Sequence, residues 1–145
     1  MDFFSAINVS SSALTAERAR MNLISSNLAN ANATRTPEGG PYKRKDAVFS
    51  ATPIGGRFDR ALDGATGQQV RQVEVTQIIE DQNPPRLQYD PSHPDANPQG
   101  YVSMPNVNVV EEMADMIGAT RAYEANITAV QAAKSMAMKT LEIGK

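Results

Sequence analysis

The acids Glu80, Asp81, Asp90 and Asp95 crowd one stretch of the chain, and the only histidine, His93, stands among them in DPSHPDANP. Two carboxylates at the right separation could serve as the acid and the nucleophile or base of a glycosidase. No spacing in the sequence sets that separation, and acids in turn-rich segments ordinarily bond local backbone or face water. His93 has no second histidine at ligand spacing, so it reads as an exposed loop side chain. The methionines at 104, 113, 116, 136 and 138 read as adaptable packing rather than a soft-metal site. The glycine pairs at 39–40 and 55–56 lack the fixed pattern and following Lys-Ser/Thr of a phosphate loop. GPYKRK at 40–45 is a short basic patch with one aromatic. It suits an acidic partner, a phosphate, a cell-wall polymer, or simply a charged strand edge. The expectation is a non-enzyme with no catalytic residue, no metal and no cofactor.

Composition narrows the class further. A chain of 145 residues with 41% hydrophobic residues and no Trp makes one small domain, or a small domain with extended helices attached, and a shallow core. A net charge of −2 argues against nucleic acid as a partner of the whole protein. The charges are unevenly placed: residues 35–60 carry six bases and three acids, residues 61–105 two bases and six acids. That opposition suits head-to-tail contact between copies, or a solvated loop region. The absence of cysteine removes disulfides, thiolate nucleophiles and cysteine zinc sites. The first residues, MDFFSAINVSSSALTAER, have no basic leader or uninterrupted apolar block. No apolar run is long enough to span a membrane. A soluble or peripheral protein is expected, and any export must use a route without a cleaved signal peptide.

Two periodic segments bracket an irregular middle. Ile7, Leu14, Met21 and Leu28 recur every seven residues, which predicts a helix from about residue 3 to residue 31, with Phe3, Phe4 and Ile24 beside the stripe. Asn8 to Ser12 is the place where such a helix would break or be capped. Near the other end, Val109, Met113, Met116, Thr120, Tyr123, Ile127, Val130, Lys134, Ala137 and Leu141 alternate steps of four and three, the pattern of a coiled-coil seam. Asn108 with Glu111 resembles a capping box behind Pro105, and Gly144 is a plausible terminator. Gly118, Ala119, Ala122 and Ala125 keep one surface small.

Between the helices, VRQVEVTQIIED predicts a strand, and DAVF at 46–49 and GYVSM at 100–104 two short ones. NPPRLQYDPSHPDANPQG reads as a turn-dense surface loop. The fold class is therefore mainly α with a small β domain: an N-terminal helix over residues 1–32, a β-containing middle over 33–105, and a C-terminal helix over 106–145. Narrow stripes bury little area alone, so the helices need partners. A contact that does not close into a ring propagates as a filament.

The first helix runs out in NLANANATRTPEGGPYKRK. Ala29, Ala31 and Ala33 leave room for neighbouring backbone, while Asn27, Asn30 and Asn32 offer amides that can bond across a helix junction. Two motifs then stand in order, NLAN at 27–30 and YEAN at 123–126. On these the chain resembles the rod and hook axial proteins of the bacterial flagellum. The likeness is strongest over residues 5–50 and 98–145, and the insertion ATRTPEGGPYKRK points to a proximal-rod member. YVSMPNVNVVEEMADMIGATRAYEANITAVQAAKSM fits the same member, while Ala33 departs from its expected Thr.

The resemblance implies a structural subunit that polymerises into the drive shaft carrying motor torque to the hook. It implies partners among copies of itself and other rod proteins, and passage through the flagellar type III export apparatus into the periplasm. The expected assembly interface comprises Ile7, Leu14, Met21, Asn27, Leu28 and Asn30 at one end, and Met113, Met116, Tyr123, Asn126, Ile127 and Val130 at the other. A coiled-coil adaptor or export chaperone is the rival reading of the same helices.

Overall fold

A computed structural model of the chain describes residues 3–54 and 70–143. The N-terminal stripe forms one unbroken helix, α1, Phe3–Ala29. It passes straight through Asn8 to Ser12, where Ser12 bonds its own helix. Ser12 Oγ donates to Val9 O at 2.8 Å, which lets a poor helix former stay within the helical ladder. The C-terminal seam forms α2, Val109–Ile143. Asn108 caps it, its Oδ1 accepting the Val110 N–H at 3.1 Å, as its sequence position predicts. The two terminal helices pack on each other, with small two-stranded sheets between them in sequence.

The first sheet joins β1, Lys45–Pro53, to β2, Arg71–Glu80. Its ends are closed by Asp81 N–H to Arg44 O at 2.8 Å and Ile54 N–H to Val70 O at 3.3 Å, so the strands run antiparallel. β1 is longer than the DAVF segment alone predicts. The second sheet adds a strand to residues 83–100, which read from sequence as a turn-dense surface loop. That stretch holds a short strand, β3, Arg86–Tyr89, antiparallel to β4, Tyr101–Met104, with Arg86 opposite Met104 and Tyr89 opposite Tyr101. The tyrosine rings meet edge to face at 5.3 Å, a cross-strand pair that proline-dense flanks concealed. Gly144 and the glycine pair at 55–56 lie outside the described residues.

The chain divides into two compact units. One comprises Met1–Ala19, Val48–Gln77 and Ala119–Lys145. Here the fully covered side chains among the described residues are Ala16, Ala119 and Ala133, small enough for close helix approach. Ser12 Oγ also accepts the Val73 N–H at 3.1 Å, tying α1 to β2. The other unit comprises Arg20–Ala47 and Ile78–Gly118. It buries Ile24, Ala31, Val102, Pro105 and Val107 together with two polar side chains, Asn27 and Glu112.

Gly100 closes the β3–β4 turn with φ at 82°. A Cβ there would lie 2.9 Å from the Tyr89 ring and 3.2 Å from Pro91 Cβ. Gly39 also has a positive φ, but open space where its Cβ would stand. Gly100→Ala therefore suffers both backbone strain and a clash, whereas Gly39→Ala suffers strain alone, about 1 kcal/mol. Thermal melts of the two variants should show the larger loss for Gly100→Ala. Equal losses would contradict the packing role of the Tyr89–Gly100 contact.

Candidate functional site

The acids with catalytic potential are each engaged by another side chain or by backbone. Glu80 faces Lys45 Nζ at 3.6 Å. Asp81 accepts the Asn83 N–H at 2.9 Å and its amide at 3.1 Å. Asp90 accepts the Ser92 hydroxyl at 2.6 Å and its N–H at 3.1 Å. Asp95 accepts Thr34 Oγ1 at 2.8 Å, and Arg35 stands 4.0 Å away. His93 Nδ1 accepts the Asp95 N–H at 3.1 Å. The bonds of Asp81, Asp90 and His93 are the turn-closing bonds that short polar side chains make, while those of Glu80 and Asp95 reach distant parts of the chain. Among the described residues no group of three or more His, Asp or Glu side chains is placed to hold a metal. None of the described helices is long and apolar enough to cross a membrane.

The most organised polar site lies where α1 ends and α2 begins. Asn27, 1% exposed, uses every hydrogen-bonding position of its amide. Nδ2 donates to Lys45 O at 2.9 Å and to Glu112 Oε2 at 3.1 Å. Oδ1 accepts the Lys45 N–H at 2.9 Å and the Tyr42 hydroxyl at 3.0 Å. The side chain thus treats Lys45 as one strand residue treats another, exchanging both bonds with its backbone. It fixes where the chain re-enters after the 30–44 segment.

Glu112 is equally buried, at 1% exposure, and its Oε1 accepts Arg44 Nε. Arg44 further reaches Asp46 at 3.2 Å and Asp115 at 3.7 Å. Its backbone N–H donates to Asn106 Oδ1 at 3.0 Å. Burial works against the charge of the guanidinium, but the bonds and attraction of Glu112, and then of Asp46, outweigh it and raise its pKa above the ordinary arginine value. A buried carboxylate is tolerable only with such a partner.

The expected interface residues fall into distinct positions. Asn27 joins the network. Asn30, one residue past the end of α1, and Asn126, inside α2, instead bond back four residues, to Ser26 O at 2.8 Å and Ala122 O at 2.9 Å. Ile7, Leu14, Met21, Leu28, Met116, Tyr123, Ile127 and Val130 are half-buried, while Met113 is 55% exposed. The covered line of α2 runs through Glu112, Met116, Ala119, Tyr123, Asn126, Val130, Ala133 and Ala137. These follow strict steps of four and three, the heptad spacing. Half of this line coincides with the apolar seam read from sequence. The rest lies one position to the side, at Glu112, Ala119, Asn126 and Ala133, two of which are small enough for close approach.

Arg44, Tyr42 and Glu112 were not expected at a site. The available signal was Glu112 itself, an acid in phase with Met116, Ala119 and Tyr123, which needs a buried partner.

Comparison with known proteins gives matches at both ends. Residues 99–143 match the family described as flagellar basal body rod FlgEFG protein C-terminal. Residues 7–35 match the flagella basal body rod protein family. Over whole chains, the sequence is 47% identical to the flagellar basal-body rod protein FlgC of Borreliella burgdorferi, covering 99% of this chain and 98% of that one. It is also 47% identical to the Bacillus subtilis protein of the same name and 41% identical to that of Salmonella typhimurium, each covered in full on both sides.

Two expected outcomes follow from the junction and the turns. Asn27→Asp keeps the shape but removes both donors and sets a carboxylate against Glu112. It should cost on the order of 3 kcal/mol in thermal or denaturant unfolding. Asn30→Asp, in the same motif but bonded only back to Ser26 O, should cost far less, and comparable losses would contradict the assignment. The bonds from Asn83 and Ser92 lower the pKa values of Asp81 and Asp90 below their ordinary 3.8. The unfolded chain thus takes up these protons first on acidification. The stability they contribute is complete above that value and lost as pH falls through the lower folded values. Carboxyl carbon titrations by NMR should place both midpoints below 3.8.

Proposed function

The chain belongs to the family of the flagellar basal-body rod protein FlgC, so it is a structural subunit of the rod and not an enzyme, and we propose how its two helices serve that role. It is located in the rod and assembles with rod proteins. The carrying observation is the apolar surface the chain leaves uncovered on α1 and α2. In one unit Phe4 is 68% exposed, Met136 64%, Leu141 70% and Ile143 87%. In the other, Val110 is 75% exposed and Met113 and Ile117 55% each. A monomer has little means of covering such side chains, and helices of this kind gain most of their stability from packing.

Copies of this chain and neighbouring rod proteins supply the cover. The half-buried stripe of Ile7, Leu14, Met21 and Leu28 on α1 meets that of Met116, Tyr123, Ile127 and Val130 on α2, and exposed side chains such as Met113 face the next subunit. Residues 1–32 and 106–145 form the inner helical layer and 33–105 the outer domain. Asn27, Asn30 and Asn126 lie at the junctions. The chain reaches the periplasm through the flagellar type III export apparatus, and its mechanism there is torque transmission through a helical polymer.

Ile127→Asp tests this reading. A charge on that half-buried stripe has no partner. In a strain lacking its own copy of the gene, the variant should accumulate normally yet yield no rods and no swimming. Rods assembled at normal efficiency would sink the proposal.

A further inference from the structure

Strand β3 has an open side. The Asp90 N–H donates to Gly100 O at 2.9 Å, and the register sets Gln88 opposite Val102 and Arg86 opposite Met104. Bonded and non-bonded pairs alternate in an antiparallel ladder, so the bonded pairs fall at 86, 88 and 90, and the N–H and C=O of Leu87 and Tyr89 turn outward. Among the described residues no hydrogen bond uses those outward groups. The outer edge of β4 differs, because Asn97 covers it: the Tyr101 N–H donates to Asn97 Oδ1 at 2.8 Å, and the Asn97 N–H to Tyr101 O at 2.9 Å. The side chains of β3 are as open as its backbone. Leu87 is 63% and Tyr89 65% exposed, and Arg86 and Gln88 are exposed on the other face. An open edge with apolar side chains is a template for a further strand.

The residues of β3 say which strand fits. RLQYD at 86–90 is its own antiparallel complement. Turned about a two-fold axis at Gln88, two copies set Leu87 against Tyr89 and Arg86 against Asp90. The backbone phase agrees: the outward groups of Leu87 and Tyr89 bond one another across the axis, and Gln88 meets its twin at the non-bonded position. Within the chain, among the described residues, neither Arg86 nor Asp90 makes an ion pair. Ser92 occupies only Oδ1 of Asp90, which leaves Oδ2 open to a guanidinium. Pro84 and Pro85 before the strand and Pro91 after it have no N–H to donate and confine the pairing to this segment.

We propose that the unassembled subunit pairs with a second copy of this chain through the outer edge of β3, two-fold and antiparallel, into a continuous β4–β3–β3–β4 sheet. The contact is isologous and closes on itself. It sets two subunits in opposite directions, whereas a head-to-tail polymer aligns them all alike. The dimer is therefore a form of the subunit outside the rod, and it opens before a subunit is incorporated. It goes beyond the rod reading and does not depend on it.

Cysteine substitution in the full-length protein tests it, because the chain has no cysteine of its own. In Gln88→Cys the twin Cα atoms on the axis would stand about 4.5 Å apart, within disulfide reach. Under mild oxidation this variant should form a covalent dimer on the order of tenfold faster than Lys43→Cys, a control at another exposed position. Sedimentation of the wild type should show a concentration-dependent dimer. Arg86→Asp alone should lose it, and so should Asp90→Arg. An equimolar mixture of these two should regain it, since each altered charge then meets its opposite. Should Asp90→Arg disturb its turn, the cysteine rates still decide. Equal rates for Gln88→Cys and Lys43→Cys would overturn the proposal and leave the edge to a strand from a different protein. A dimer that Arg86→Asp leaves intact would overturn it as well, since the association would then lie on the helices. None of these results bears on the rod reading, which stands or falls on whether Ile127→Asp blocks rods.

Discussion

A carboxamide with all of its hydrogen-bonding capacity used inside a protein is difficult to replace, and Asn27 is in that state. Its two donors and its acceptor oxygen meet the backbone of Lys45, the hydroxyl of Tyr42 and the carboxylate of Glu112. Serine or alanine there would leave buried partners unbonded, and aspartate would lose the donors. The end of α1, the entry to β1 and the start of α2 all take their positions from this side chain. The buried carboxylate of Glu112 then demands a cation, and Arg44 supplies it one residue before Lys45. A polar network that is fully satisfied specifies one arrangement more sharply than apolar contact does.

Apolar contact, by contrast, is sparse and unevenly distributed. Covered aliphatic groups of any size cluster around this junction, and elsewhere alanines line the covered helix face. Alanine brings helices close but contributes little free energy per residue. Large apolar side chains such as Val110, Leu141 and Ile143 remain in the open. This pattern suits a subunit whose final stability comes from a polymer, with specificity built into the monomer and most of the burial deferred. A full core in the monomer would leave little driving force for assembly. A monomer with no core would have nothing to set the angle between its helices and its middle segment.

Some of this was legible in the residues and some was not. The seven-residue recurrence announced both helices, Asn108 marked the start of α2, and the valines and isoleucines of VRQVEVTQIIED marked β2. The strand Arg86–Tyr89 stayed hidden because proline and aspartate crowd its flanks, and its stability comes from Tyr101, well along the chain. GPYKRK read either as a basic patch for a partner or as a charged strand edge. In the folded chain Arg44 is three-quarters covered and Lys45 is bonded through its backbone, so the patch is largely structural.

The sequence by itself determined the periodic helices, the lack of cysteine and histidine chemistry, and the paired NLAN and YEAN motifs that point to the rod proteins. These are local or compositional properties, readable wherever a few neighbouring residues settle the matter. Tertiary structure alone decided that Asn27 bonds across the junction while Asn30 and Asn126 turn back on their own helices. All three amides have the same chemistry, and each stands in a helix or one residue past its end. What separates them is whether a carboxylate 85 residues away and a strand backbone 18 residues away are brought within bonding distance, and spacing along the chain does not encode that. The covered line of α2 was settled in the same way. Two adjacent stripes were possible, and the covered one is that in which Ala119 and Ala133 are small and Glu112 finds Asn27 and Arg44.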